Sequence, residues 1–419
     1  MITKPKGTYD VYGKDALIFE YVNTVCENFA HLYNYNLIRT PVFENSELFH
    51  RSVGETSDIV TKETYDFKDR SDRSLTLRPE GTAGVVRSVI ENKLYGNKND
   101  AIKFFYNETV YRYERPQAGR NREFTQFGIE FFNSFETVAD AEVISIGYQI
   151  LKALGIDVTV HINSLGDLDS RKNYTKILVD YFTPKINELC PDCQNRLKTN
   201  PLRILDCKFD KDNEILKNAP KMNDYLNGES KDRFNDVLKQ LDILDVDYEV
   251  DSNLVRGLDY YDHTVFEYID EKGVTVGAGG RYNGLIEALG GPSVPAIGFG
   301  LGIERMVIDI KESNLFNDIA DDYEGNVEVY VMSVSEEEKL HALDISQNLR
   351  LNGISCEMNS CNLSLKSQFK IADKLKAKQL IILNNEDLQK GLVNVKDNAT
   401  KEEEKVDIAE IVDYIIGVL

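Results

Sequence analysis

The run Leu254-Val255-Arg256-Gly257-Leu258-Asp259-Tyr260-Tyr261 places a permanent cation beside two aromatic hydroxyls. A guanidinium is a planar fork of donors suited to a carboxylate or a phosphate. Tyrosine adds a flat apolar wall with a polar handle. Together they can hold a small polar molecule and an anion side by side. The plainer alternative is an arginine salt bridge next to two core tyrosines.

Other segments carry matching chemistry. Thr76-Leu77-Arg78-Pro79-Glu80-Gly81-Thr82 ends a strand and opens a helix, because Pro79 and Gly81 forbid continuing the strand. Glu80 and Thr82 then sit at a helix start, either as ordinary N-terminal residues or as a corner that binds an amine. Arg112 and Glu114 leave one strand-like run, and Arg115, Gln117, Arg120 and Arg122 populate the loop after it. On the returning strand, positions 124, 126, 128 and 130 share a face, since strand side chains alternate. That face reads Phe124, Gln126, Gly128, Glu130: an aromatic plate for a base, an amide, a glycine gap and a carboxylate. A merely solvated hairpin has no reason to collect them on one side.

Two glycine-rich segments, Gly277 to Gly284 and Gly298 to Arg305, fit neither the P-loop nor the dinucleotide pattern. They allow close packing beside a ligand, and Arg305 can meet a terminal phosphate. Cys190 and Cys193 have knuckle spacing, with Cys207 beyond them. The nearest histidines, His161 and His263, belong to other segments, so a fourth ligand is missing and no metal is expected at the cysteines. The five histidines show no pairing with a nucleophile, which argues against histidine acid–base catalysis.

These residues need a scaffold. Residues 15–33 have helical apolar spacing, and residues 103–113 and 122–132 read as a hairpin with a long charged loop. Residues 138–154 read as a helix and 158–163 as a strand. The stretch 167–247 is helix-rich and charged, like an inserted subdomain. Strand signals resume at Arg256, with a hairpin over 264–269 and 273–279, and a helix over 303–312. An acidic linker at 321–326 precedes alternating strands and helices, which predict a small α/β domain with a mainly parallel sheet. The expected architecture is an antiparallel β-rich core domain with a helical insertion, followed by an α/β domain.

Composition sets outer limits. A chain of 419 residues allows two or three domains. No apolar run reaches membrane length and residues 1–10 lack a signal-peptide core, so the expected location is cytoplasmic with no membrane partner. The net charge of −21 argues against sequence-blind nucleic-acid binding but leaves local basic patches open.

Taken together, these segments resemble the class II aminoacyl-tRNA synthetases, and within them the histidyl branch. Arg39-Thr40-Pro41-Val42-Phe43-Glu44 is similar to motif 1 of that family, 112–130 to motif 2 and 297–306 to motif 3. The runs 254–261 and 279–285 resemble the two histidine-specific signatures. Asn283 departs from the pattern, where an acid is often found. The resemblance covers nearly the whole chain. It implies an α+β class II catalytic domain over 1–325, a helical insertion at about 167–247, and a C-terminal α/β anticodon-binding domain over 326–419. It implies ATP and Mg²⁺ as substrate and cofactor, L-histidine and tRNA(His) as partners, and a homodimer.

By the same resemblance, Arg256 and Arg112 are catalytic. Glu80, Gly81, Thr82, Gln126, Glu130, Tyr260, Tyr261 and Tyr282 would bind histidine. Arg112, Glu114, Arg120, Phe124 and Arg305 would bind ATP, and Arg115, Gln117 and Arg122 would meet tRNA. Two competing readings are a non-catalytic regulatory relative of the synthetases and a plain nucleotide- or RNA-binding module. Retention of Arg112, Arg256 and Arg305, and of residues 327–419, favours the enzyme.

Overall fold

The computed structural model describes residues 1–53, 62–96, 100–256, 260–313, 315, 317 and 327–419. The turn 257–259 of the arginine–tyrosine run and the linker at 321–326 lie outside these residues. The chain forms two compact units, Met1–Asn317 and Asp318–Leu419.

In the first unit, eleven strands are β1 Asn36–Leu37, β2 Phe43–Asn45, β3 Tyr65–Lys68, β4 Ser74–Leu77, β5 Ile102–Tyr111, β6 Glu123–Phe132, β7 Val158–Ser164, β8 Tyr248–Val250, β9 Asp262–Asp270, β10 Thr275–Arg281 and β11 Ala296–Gly302. Eight of them build one sheet in the order β1-β5-β6-β11-β10-β9-β7-β8. The six inner strands are antiparallel throughout, and the two short end strands pair parallel. The β5–β6 hairpin pairs Val110 with Phe124, Glu108 with Gln126 and Phe104 with Glu130. The β9–β10 turn forms because the Asp270 carboxylate accepts from the Lys272 and Val274 amides at 2.9 and 2.6 Å, while Gly273 takes φ +76°, a conformation that only glycine adopts freely.

Helix Thr137–Ala153 is buried on nearly every side, between this sheet and helix Gly228–Ile243. Gly147 admits the Tyr268 ring, whose hydroxyl donates to the Ile144 carbonyl at 2.8 Å. Inside the insertion, helices Leu168–Phe182, Pro191–Thr199, Glu214–Lys217 and Gly228–Ile243 alternate with short 3₁₀ turns. Its core residues Tyr174, Leu178, Phe182, Cys193 and Ile204 join one cluster with Val255, Tyr261 and Tyr282. The insertion therefore braces the arginine–tyrosine run from behind.

Two features were not expected. Strands β2, β4 and β3 form a separate small sheet. Strand β8 follows the insertion before the pattern was expected to resume. Both are built from strands of three or four residues, too short to show a period.

In the second unit, β12 Val329–Met332, β13 Cys356–Met358, β14 Gln379–Ile382, β15 Leu392–Asp397 and β16 Glu403–Asp407 form a sheet in the order β13-β12-β14-β15-β16. Two pairings are parallel and two antiparallel, so the sheet is mixed rather than mainly parallel. The overlooked strand is the charged edge β16, where Val406 is the only apolar residue; charge on an edge strand discourages pairing with other chains. Helix Glu336–Leu351 starts with a capping box between Ser335 and Glu338.

Candidate active site

The face of β6 and its neighbours opens into one cavity of about 240 Å³. Several elements deliver its walls. Glu80 and Thr82 come from the junction between β4 and helix Thr82–Glu91; Arg112, Glu114 and Arg120 come from the hairpin loop. Phe124 and Gln126 rise from β6, and Arg256, Tyr260 and Tyr261 come from the run before β9. Tyr282 and Arg305 complete the set, one following β10 and one in the first turn of helix Ile303–Glu312.

One end is cationic. Arg112 donates Nε to the Pro79 carbonyl at 2.8 Å and lies 5.3 Å from the Phe124 ring centre. Arg120 pairs with Glu114 at 3.7 Å. Its loop turns through Gly119 at φ +68°, and the Gln117 and Arg120 backbones exchange two hydrogen bonds. Arg305 donates to the carbonyls of Thr275 and, at 3.4 Å, Gly119. Burial first, and then repulsion from Arg120 and Arg112, lower the pKa of Arg305. Like charges held together in this way await an anion.

The other end is polar and tightly bonded. Glu80 accepts from the Thr82 and Ala83 amides, both at 2.7 Å. The carboxylate thus caps the helix, as the plainer reading held, while still lining the cavity. Gln126 accepts from the Gly81 amide at 3.2 Å. Glu130 lies below the wall, fully buried, accepting from Thr82 Oγ1 at 2.7 Å and from the Tyr282 hydroxyl. Burial pushes its carboxyl up to about 8, against the pull of those hydroxyls. Glu130 acts on the cavity through Thr82 and Tyr282, not by projecting into it.

The glycine gap at 128 is also not open to a ligand. The Tyr106 ring covers it, and a Cβ on Gly128 or Gly81 would overlap that ring. On β11, Gly298 and Gly300 make room for the side chains of Glu130 and Gln126. These glycines serve close packing beneath the site.

Arg256 pairs with Glu267, which also accepts from Thr275 Oγ1 at 3.0 Å. The Tyr260 and Tyr261 rings meet at a tilt of 53°, 4.6 Å between centres. The three residues expected to meet tRNA lie off the cavity. Arg115 and Gln117 are exposed. Arg122 is taken up internally, 3.9 Å from the Tyr113 ring centre and donating to the Glu114 carbonyl at 3.1 Å. Asn283 donates to Asp262 at 2.8 Å and accepts from the Ala296 amide at 3.1 Å. An acid there would lack that donor, so the amide suits a neighbouring carboxyl that burial raises to about 6.

Sequence reasoning missed Tyr106, Glu267 and Glu304. Glu304 lines the cavity and accepts from the Thr125 amide at 2.7 Å. Alternation along β5, read against β6, could have pointed to Tyr106, and alternation along β9, read against β10, to Glu267. The missing fourth ligand near the cysteines is also corrected: Asp210 stands with Cys190, Cys193 and Cys207.

Comparison with known proteins decides the family. Residues 7–306 match the family described as histidyl-tRNA synthetase, and residues 328–417 match an anticodon binding domain. The chain belongs to the histidyl-tRNA synthetase family. A histidine–tRNA ligase of Bacillus cytotoxicus is 46% identical over 417 residues, 98% of each chain. That of Anoxybacillus flavithermus is 45% identical over 421 residues, 99% of each. The crystal structure of apo histidyl-tRNA synthetase from S. aureus superposes with TM-score 0.82 at 39% identity, covering 99% of this chain and all of that one. The α+β catalytic fold with an antiparallel-rich sheet is therefore that of a class II synthetase. No described helix is long and apolar enough to cross a membrane.

Proposed function

We propose that this chain is a histidine–tRNA ligase, which activates L-histidine with ATP and transfers it to tRNA(His). The observation that carries the reading is one cavity with three arginines at one end and a buried Glu130–Thr82–Tyr282 network at the other. Such a cavity suits phosphates and a small zwitterion held within bonding distance.

Activation needs positioning and charge stabilisation more than acid–base chemistry. A histidine carboxylate oxygen attacks the α-phosphorus of ATP, the bond to the bridging oxygen breaks, and pyrophosphate leaves with its electron pair. Arg112 and Arg256 hold the histidine carboxylate and the α-phosphate. Arg120 and Arg305 hold the outer phosphates, Phe124 stacks adenine, and Glu114 borders that end. Glu80, Gly81, Thr82 and Gln126 receive the histidine ammonium, and Tyr260, Tyr261 and Tyr282 wall its ring over Glu130. Glu114 and Glu304 bring carboxylate oxygens to the cavity wall and would hold Mg²⁺, which would supply neutralising charge for the leaving pyrophosphate. In the transfer step a terminal ribose hydroxyl of tRNA attacks the mixed anhydride and AMP leaves.

The exposed Arg115 and Gln117 offer this loop to the tRNA acceptor end, while Arg122 holds the loop in shape from inside. Residues 1–325 make the catalytic domain, with the insertion at 167–247, and 326–419 read the anticodon. A homodimer is supported by exposed Val42, Phe43 and Phe67, apolar residues in and beside the segment similar to motif 1. The working compartment is the cytoplasm.

A regulatory relative shares the fold: a Bacillus halodurans protein described as an ATP phosphoribosyltransferase regulatory subunit/histidyl-tRNA synthetase superposes with TM-score 0.63 at 20% identity, over 88% of this chain and 96% of that one. The two readings part on charging. Purified chain with labelled histidine, ATP–Mg²⁺ and tRNA(His) should produce histidyl-tRNA; no charging, with tRNA intact and protein folded, would overturn the reading.

A further inference from the structure

The insertion holds a cluster that the synthetase reading leaves unused. Cys190 is the N-cap of helix Pro191–Thr199, and Cys193 lies in its first turn. Cys207 and Asp210 approach from the loop that follows the 3₁₀ turn Pro201–Ile204. One ligand atom from each of the four lies within 4.8 Å of the others. Cys190 Sγ is 3.6 Å from Cys207 Sγ, and Cys207 Sγ is 3.6 Å from Asp210 Oδ2. The Cys190 amide donates to Asp210 Oδ2 at 3.0 Å, and the Asp210 amide donates to Cys207 Sγ at 3.5 Å.

The two 3.6 Å spacings match two edges of a zinc tetrahedron, and the others fall within 4.8 Å. Zinc bonds of about 2.3 Å to sulfur and about 2.1 Å to oxygen put two sulfurs about 3.8 Å apart, and a sulfur and an oxygen about 3.6 Å apart. Three thiols and a carboxylate are poor company otherwise, since thiols are weak donors and Asp210 has stronger partners in water. Soft sulfur ligands select zinc over magnesium or calcium.

We propose that Cys190, Cys193, Cys207 and Asp210 bind one structural Zn²⁺, each cysteine losing its thiol proton to solvent as the metal enters. The ion staples the start of helix Pro191–Thr199 to the loop 205–210. Cys193 and Cys207 belong to the same buried cluster as Val255 and Tyr261, so the staple fixes the wall behind the activation pocket.

Elemental analysis of the full chain tests this, after purification from zinc-supplemented cells and removal of any histidine tag. One zinc per chain should survive gel filtration and be released by a mercurial that titrates thiols. Cobalt(II) in its place should give the intense visible bands of tetrahedral thiolate coordination. Cys190→Ser and Asp210→Asn should lose the metal, and Cys361→Ser, an exposed cysteine outside the cluster, should keep it. Wild-type protein without zinc overturns the proposal, whether its thiols are free or Cys190 and Cys207 have oxidised to a disulfide. Undiminished zinc in both cluster variants overturns it as well. If the variants fail to fold, wild-type stoichiometry and the cobalt spectrum decide.

Discussion

Glu130 and Gly298 face each other across β6 and β11, and the Glu130 carboxylate occupies the space that a Cβ on Gly298 would need. The glycine-rich strand is thus shaped around a buried acid, and the acid in turn fixes Thr82 and Tyr282 on the cavity wall.

Gly298→Ala should displace Glu130 and disturb the wall. Overpacking of this kind costs about 1–3 kcal/mol. Urea unfolding of the variant should show that loss together with a raised KM for histidine. Gly417→Ala, where nothing lies within 4 Å, should be neutral or stabilise helix Ile411–Val418 by about 0.5–1 kcal/mol.

Glu130→Gln should weaken histidine binding by about 0.5–1.5 kcal/mol, the range for a neutral hydrogen bond, because the amide holds Thr82 Oγ1 and the Tyr282 hydroxyl less well than the acid. ATP should bind nearly as before, because arginines at the other end hold the phosphates. Separate KM values from pyrophosphate exchange measure both. Equal losses would signal general disruption instead.

The same variant has a pH signature. The Glu130 carboxyl rises from 4.5 to about 8 because burial penalises its charge. Between those values the unfolded chain gives up a proton that the native state keeps. The contribution of Glu130 to stability therefore falls as pH rises through 4.5 and levels off above about 8. The melting temperature of Glu130→Gln, relative to wild type, should climb across that window. A flat difference would show that Glu130 titrates normally.

How much of this was legible depended on the signal each segment carried. Helices Ile303–Glu312 and Glu336–Leu351 lie where helices were expected. The β5–β6 hairpin showed as two aromatic runs about a charged loop. The alternation that put Phe124, Gln126 and Glu130 on one face was correct, but alternation cannot say how deep a residue lies. Glu130 is beneath the wall and Tyr106 covers Gly128, since depth is set by neighbouring strands. The small β2-β4-β3 sheet was lost because its strands are three or four residues long. Asp210 carries no sequence signal as a ligand, because cysteine–histidine knuckle spacing does not mark a carboxylate.

Arg256 should matter to the chemical step. Arg256→Ala alone would leave Glu267 half-desolvated without its partner, which confounds the reading. Paired with Glu267→Gln, the substitution should leave the fold intact and lower histidine-dependent exchange roughly 10²–10³-fold, the cost of one preorganised donor to a developing charge. Circular dichroism checks the fold. Wild-type exchange in the double variant would remove Arg256 from the mechanism.

Phe124→Ala should raise the KM for ATP and spare that for histidine. Base stacking on an aromatic ring contributes about 1–3 kcal/mol. Arg112, 5.3 Å from the ring centre, loses its cation–π contact as well. Parallel titrations of the two substrates separate this from a general loss of activity.

The central claim is that the arginine-lined cavity activates histidine at the α-phosphate of ATP. Exchange of labelled pyrophosphate into ATP tests it most directly, because exchange needs the reversible formation of the adenylate and no tRNA. The purified chain with ATP, Mg²⁺ and pyrophosphate should exchange label when L-histidine is added and not when it is withheld or replaced by another amino acid. Absence of exchange in folded protein with histidine present, or exchange that does not depend on histidine, would contradict the account.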